Sequence, residues 1–254
     1  MLFVCFVRSC SLLLLFCGVG GPMLSSHFSN PRFAHGFSFP DFLELAVKLV
    51  QIVADVHAQD IIHRDISAAN ILFQPHTKSL RLIDFGLATA MPSKQAVQAA
   101  MQPAMGDAVA PSKPHRAMQG TLLYMAPECT GAWNRLIDQR SDIYAVGVVL
   151  SQMLTGQLPL QRARVPSANG QGDELESIES FVQTILTRVP VPAHVTRPWI
   201  PRIVSQILSK AMAKNPDDRY ASAFGGVLPA HRGQGRESAV RPLFRPVAHF
   251  LACV

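Results

Sequence analysis

The amino-acid sequence predicts a single, mostly helical α+β domain with a few short strands. The chain has 254 residues, 48% of them hydrophobic, which is enough to bury one sizeable core. Apolar residues recur at helical spacing in three segments, and short apolar runs lie between the first and the second. The three segments are residues 43–56, 175–186 and 200–213.

The first helix is expected to begin near Ser38. Ser38 stands three residues before Asp41, in a capping-box-like spacing, and Pro40 falls near the first turn. We interpret the apolar stripe that follows as core. Its members are Leu43, Ala46, Val47, Val50, Val53 and Val56. His57 lies near the helix end, and we expect it to face solvent or to be capped, because no acid–base partner is evident.

Short strands are expected next, around residues 61–62, 71–73 and 80–83. Farther along, Thr155-Gly156 supplies a helix stop, and residues 161–172 form a polar loop. Two amphipathic helices then follow. We expect these side chains to point inward: Leu175, Ile178, Phe181, Val182, Ile185 and Leu186 in one, and Ile203, Ile207, Leu208 and Met212 in the other.

Polar motifs stand at the ends of these strands and farther along the chain. They are His63-Arg64-Asp65 with Asn70 five positions after the Asp, then Asp84-Phe85-Gly86, then Ala126-Pro127-Glu128. One such tripeptide alone is weak, since it could be a turn after a buried strand, but three in this order are specific. Carboxylate and amide oxygens suit Mg²⁺, and a carboxylate can accept a hydroxyl proton. The set predicts a phosphoryl-transfer site.

These motifs resemble the carboxy-terminal lobe of the eukaryotic-type protein kinase superfamily, serine/threonine type, over residues 38–224. The resemblance implies a kinase-like fold in which a helical lobe carries short strands around the catalytic loop. It places a flexible activation loop at residues 88–118. The runs at 128–135 and 155–159 are similar to a narrower group, in which a kinase-like domain begins large signalling proteins with ATPase and histidine-kinase modules.

The resemblance also implies the chemistry. Asp65 would accept the proton of a protein Ser or Thr hydroxyl, while Asn70 and Asp84 would hold Mg²⁺. Leu72 would form an apolar floor under the adenine of ATP. The expected function is therefore transfer of the γ-phosphoryl group from ATP to a protein, with ATP and Mg²⁺ as cofactors.

Several further residues have ordering or regulatory roles by the same resemblance. His63 would pack under Phe85 and Gly86 and order the site without doing chemistry. Arg64 is of the type that clamps an activation-loop phosphate.

Four other residues complete this set. Thr121 would contact Asp65, and Asp142 would accept hydrogen bonds from the catalytic-loop backbone. Arg219 would form a structural ion pair with Glu128.

Two departures from the family pattern leave an alternative open. Ser67 stands where a Lys usually contacts the γ-phosphate, and a hydroxyl brings no charge. No Gly-rich loop or Val-Ala-Ile-Lys-like strand is found before Asp41, so the amino-terminal lobe is expected to be absent or incomplete. The alternative is a non-catalytic kinase-like binding module, or a truncated pseudokinase.

The two ends of the chain differ from its centre. Residues 1–37 are assigned to an apolar leader and linker, either signal-like or anchor-like or a gene-model artefact, and residues 225–254 to a low-order basic tail. That tail supplies half of the formal net charge of +6. Because the basic residues form no long block, we expect no nucleic-acid partner. We expect a cytoplasmic location, with membrane contact only if residues 1–24 are a real anchor.

Cysteines indicate neither a disulfide framework nor a metal site. Three of the five lie in the apolar leading stretch, and the other two are Cys129 and Cys253. We interpret them as ordinary reduced thiols; the alternative for Cys129, beside Glu128, is a redox-sensitive position.

Overall fold

The computed structural model describes residues 21–31, 35–92, 121–133, 135–166 and 173–223. Its helices are α1 (Leu24–Phe28), α2 (Phe39–His57), α3 (Arg140–Thr155), α4 (Ile178–Thr187), α5 (Ala193–Thr196) and α6 (Arg202–Ala211). Residues 1–20, 93–120 and 224–254, which hold most of the predicted leader, activation loop and tail, lie outside the described residues. The predicted mostly helical α+β fold is confirmed.

The strands form three separate antiparallel pairs. They are β1 (Ile61–Ile62), β2 (Ile71–Gln74), β3 (Ser79–Leu82), β4 (Thr89–Ala90), β5 (Arg164–Pro166) and β6 (Asp173–Leu175). β1 pairs with β4, β2 with β3, and β5 with β6. The last pair lies partly in the expected polar loop 161–172 and was not predicted.

The core is built around α3, whose residues from Ser141 to Thr155 are all buried. α2 and α6 pack against it. Gly156 ends α3 with φ 79°, the left-handed conformation that favours glycine, so the predicted stop is confirmed.

α2 begins as expected. The backbone N–H of Asp41 donates to Ser38 Oγ at 3.3 Å, which satisfies one donor of the first turn. Val47, however, is 43% exposed, so its predicted place in the core was wrong. The buried face is instead centred on Leu45 and Leu49, both fully buried, because β3 and α3 cover that side of the helix.

Two apolar residues of the later helices also differ from expectation. Leu175 is 60% exposed and lies in β6 rather than in a helix, and Ile203 is 41% exposed. Phe181 and Ile185 of α4 are buried as predicted, as are Ile207 and Leu208 of α6.

The described part of the chain folds from before residue 38. Leu24 is fully buried, and Phe73 N–H donates to Pro22 O at 3.0 Å. Gly36 has φ 82°, and a Cβ there would lie 2.5 Å from the Leu154 carbonyl oxygen, so only glycine fits this approach. The boundary placed at residue 38 is therefore too late, because apolar contacts of this segment complete the core.

A buried ion pair joins Arg219 to Glu128 near the start of α3. Arg219 Nη1 donates to Glu128 Oε1 at 2.6 Å and Nη2 to Oε2 at 2.8 Å. Three backbone carbonyls accept the remaining guanidinium hydrogens: Ala213 at 2.7 Å, Lys214 at 2.8 Å and Arg140 at 3.0 Å. All five N–H donors of the guanidinium are thus used.

No helix within the described ranges has both the length and the apolar character to cross a membrane.

We expect Arg219→Lys to destabilise the fold although it keeps the charge. An ammonium has three donors for five acceptors, so buried acceptors lose their partners at about 1–3 kcal/mol. Arg219→Met leaves the Glu128 charge buried and unpaired and should cost about 3–5 kcal/mol. Urea denaturation measures both losses in the free energy of unfolding.

Arg135→Lys is the matched control. Arg135 pairs with Asp217 at 2.7 Å on a partly exposed surface, so its change should cost about 0.5 kcal/mol or less. Equal losses at positions 135 and 219 would contradict the prediction.

Candidate active site

The carboxylate of Asp142, in the first turn of α3, fixes the loop that follows β1. It is 1% exposed. Its Oδ2 accepts from His63 N–H and its Oδ1 from Arg64 N–H, both at 2.8 Å. Arg64 has φ 65°, an unfavourable conformation for a side-chain-bearing residue, which these hydrogen bonds help to hold.

His57 contacts the same carboxylate. Its Nε2 lies 2.9 Å from Asp142 Oδ2, and the residue is 7% exposed. The expectation that His57 faces solvent was wrong, because its partner is 85 residues away in sequence and invisible to local pattern.

His63 lies on the loop between β1 and β2, residues 63–70, which we call the catalytic loop, and it is fully buried against the segment after β3. Its Nδ1 accepts from Asp65 N–H at 3.3 Å, so Nε2 carries the hydrogen and donates to Ile83 O at 3.2 Å. The ring centroid lies 4.5 Å from that of Phe85. Burial lowers the pKa of His63.

Asp65 and Asn70 face each other across the catalytic loop. Asn70 Nδ2 donates to Asp65 Oδ2 at 2.8 Å and to Asp65 O at 2.9 Å. Both amide hydrogens are used, which turns the amide oxygen away from Asp65. No group among the described residues donates a hydrogen bond to that oxygen, so it is available to a cation.

The β2–β3 hairpin brings Asp84 to this loop. Ile71 pairs with Leu82, and Ile83 N–H donates to Asn70 O at 2.9 Å, so Asn70 and Asp84 flank the same end of the hairpin. Asp84 is exposed, with φ 62°, and its Oδ1 accepts from Gly86 N–H at 3.1 Å. This hydrogen bond fixes the orientation of the Asp84 carboxylate within the turn.

The residues present fit a magnesium ion that is coordinated partly by the protein and partly by phosphate oxygens. Mg²⁺ is bound through one or two carboxylates plus phosphate oxygens rather than by a full protein cage. Asp84 and Asn70 supply such a partial set. The described residues contain no cluster of three or more His, Cys, Asp or Glu side chains that could hold a metal ion.

Leu72 lies half-buried on β2, and sequence reasoning missed its neighbour. Met23 forms an isolated antiparallel bridge with Leu72, so the segment before α1 borders the expected adenine floor. Thr121 begins a short 3₁₀-helix, Thr121–Tyr124, and its contact with Asp65 stays a prediction.

Two other residues near the site were missed or are now better defined. Tyr124 O–H donates to Gln152 Oε1 of α3 at 2.7 Å, anchoring the segment before Ala126-Pro127-Glu128, and burial raises its pKa to about 12. Cys129 also has its pKa raised to about 12, chiefly by burial, so its thiol stays protonated at neutral pH. This disfavours the redox-sensitive alternative.

Ser67 is 1% exposed, and its hydroxyl has no hydrogen-bond partner among the described residues.

Comparison with known proteins assigns the chain to a family. Residues 10–224 match the family model described as "Protein kinase domain". The chain belongs to the protein kinase family. The match begins well before residue 38, in agreement with the packing of Leu24.

Similar curated kinase proteins come from bacteria. The chain is 31% identical over 192 residues to the serine/threonine-protein kinase PknH of Mycobacterium bovis, covering 76% of this chain and 27% of that protein. It is 30% identical over 181 residues to the serine/threonine-protein kinase PrkC of Bacillus subtilis, covering 71% and 23% respectively. The serine/threonine-protein kinase PknB of Mycobacterium leprae is 30% identical over 199 residues, covering 74% and 27%. The chain thus spans about a quarter of the length of these relatives.

We expect Asp142→Asn to destabilise this kinase domain and to loosen its catalytic loop. The amide can accept at only one atom, so at least one buried N–H of His63 or Arg64 loses its acceptor, at about 1–3 kcal/mol. Asp55→Asn, on the exposed face of α2, is the control and should change the free energy of unfolding by about 0.5 kcal/mol or less. Urea denaturation measures both, and an Asp142 variant as stable as the control would refute the role of this carboxylate.

Stability should fall as pH drops below about 6.5, the ordinary pKa of histidine. The pKa of His63 is lowered in the folded state, so below 6.5 the unfolded chain binds more protons and unfolding is favoured. One such group contributes at most about 1.4 kcal/mol per pH unit. His27, whose pKa is also lowered by burial, acts in the same direction.

Free energies of unfolding measured from pH 7.5 downward test this. The slope should be smaller in His63→Gln and unchanged in His76→Gln, because His76 is exposed in the β2–β3 turn. Identical slopes in the His63 variant and the parent chain would show that His63 does not cause the effect.

Proposed function

We propose that this chain transfers the γ-phosphoryl group of ATP to Ser or Thr hydroxyls of a protein, as part of a serine/threonine protein kinase. The observation that carries the proposal is the arrangement of Asp65, Asn70 and Asp84. One loop holds the first two within hydrogen-bond distance, and the β2–β3 pairing returns the backbone to Asn70 at Ile83, one residue before Asp84. The names of the relatives support the same activity.

In this proposal Asp65 is the general base. Its carboxylate, held by the Asn70 amide, orients the substrate hydroxyl and accepts its proton as the oxygen attacks phosphorus. Asn70 Oδ1 and the Asp84 carboxylate are the metal ligands, and Leu72 is the apolar floor under adenine. Bound Mg²⁺ would neutralise charge on the phosphate oxygens.

Ser67 favours a second candidate, a kinase-like module that binds Mg²⁺-ATP or a protein partner without efficient transfer. The hydroxyl at this position is buried and carries no charge, so it adds little to transition-state stabilisation. The two candidates share the nucleotide site and differ in the rate of transfer.

We place the domain in the cytoplasm, where ATP is abundant and thiols such as Cys129 stay reduced. Its partners would be ATP and a protein substrate, without nucleic acid.

Phosphorylation of a generic protein by the purified chain, with Mg²⁺-ATP, tests the proposal. Asp65→Asn should lower the rate by about 10²–10⁴-fold while leaving nucleotide binding intact, because only the base is lost. Asp84→Ala should abolish Mg²⁺-ATP binding in calorimetry, and Asp55→Asn should change neither quantity.

The outcomes separate the candidates. Transfer that survives Asp65→Asn would refute the assigned base. Binding of Mg²⁺-ATP that depends on Asp84, without any transfer, would support the non-catalytic module.

A further inference from the structure

Lys214 lies between two helices of the core, beside the buried ion pair of Arg219 with Glu128. It follows α6, and its Nζ donates to Ile185 O, in the last turn of α4, at 2.6 Å. The ring centroid of Tyr144 lies 5.8 Å from the same nitrogen. No carboxylate of the described residues lies within ion-pair distance of this ammonium.

A pocket of about 250 Å³ opens beside this side chain. Its walls are mostly apolar. They comprise Val189, Pro190, Ser209, Met212, Ala213 and Lys214. The pocket has room for a short chain of carbon atoms, and Lys214 is the one lining residue with a nucleophilic amine.

The surroundings of Lys214 penalise its charge. Burial of the side chain, and then the positive charge of Arg219, lower the pKa of Lys214 to about 8. Glu128 is already paired with Arg219 and so offers no partner to Lys214, which leaves Lys214 as an excess cation. A loss of that charge would therefore be tolerated here.

We propose that Lys214 is a site of Nε-acylation by an activated short acyl group, carried as an acyl phosphate or an acyl thioester. The neutral amine attacks the carbonyl carbon, and a C–N bond forms as the C–O or C–S bond breaks. Phosphate or thiol leaves with the bonding pair, and the proton lost from nitrogen passes to solvent.

The acylated form of Lys214 keeps its contacts in this site, whereas acylation of an exposed, ion-paired lysine would lose them. The amide nitrogen keeps one hydrogen, so it can still donate to Ile185 O, while the acyl chain enters the apolar pocket. Lys78 offers the contrast. It pairs with Asp41 at 2.5 Å and with Glu44 at 3.1 Å, and acylation there would break both ion pairs.

Site-resolved mass spectrometry of the full chain, treated at pH 7.5 with acetyl phosphate or with acetyl coenzyme A, tests this. A lysine with a pKa near 8 has far more free amine at this pH than an ordinary lysine near 10.4. We therefore expect Lys214 to react about tenfold faster than Lys48 and Lys78, and its rate to level off above pH 8 while that of Lys78, whose pKa is raised by its ion pairs with Asp41 and Glu44, keeps rising. The two reagents show which acyl source reacts.

The unfolded chain is the matched control. In concentrated urea the three lysines should react at similar rates, because the pocket and the burial are gone. Equal rates in the folded chain, or a preference for Lys214 that persists in urea, would overturn the proposal. With the folded chain, butyryl phosphate should react at Lys214 as acetyl phosphate does, whereas a dodecanoyl donor, too long for the pocket, should lose the preference.

Discussion

The carboxylate of Asp142 links the core helix α3 to the loop that holds Asp65. An unpaired carboxylate at 1% exposure would cost several kcal/mol, but three donors converge on it from His57, His63 and Arg64. Because two of the donors are consecutive backbone amides, the carboxylate sets the path of the chain there. The loop therefore takes its position from the most buried helix of the fold.

The rest of the site is positioned by backbone geometry that starts at this anchor. The catalytic loop runs into β2, and the β2–β3 pairing returns the chain to Asn70 through the Ile83 N–H. Arg64 and Asp84 both adopt positive φ, each at a cost of about 1–2 kcal/mol. The hydrogen bonds from Arg64 N–H to Asp142 and from Gly86 N–H to Asp84 offset that cost. Strain of this kind at two neighbouring turns is typical of a functional site.

Sequence reasoning succeeded where the determinant was local or belonged to a specific motif. The Ser38 cap, the stop at Gly156 and the need of Asp142 for buried partners are of this type. It failed where a distant element decided burial. Val47 fits the apolar period of α2, but the neighbouring elements cover another face of the helix. His57 is buried against Asp142, a partner 85 residues away in the sequence that no local pattern indicates. Helical periodicity gives the relative angles of side chains and leaves open which face is covered.

Arg219 and Lys214 are neighbouring cations, and their different surroundings give them different chemical behaviour. Arg219 uses all five donors, two of them on Glu128, so its charge is held firmly and has a structural role. Lys214 has one carbonyl acceptor, an aromatic ring and an apolar pocket around a compact ammonium. A cation in that setting is stabilised weakly, and its neutral form has a lone pair available for reaction. The ion pair of Arg219 with Glu128 thus makes Lys214 the excess charge, and the fold itself generates the reactivity inferred for this lysine.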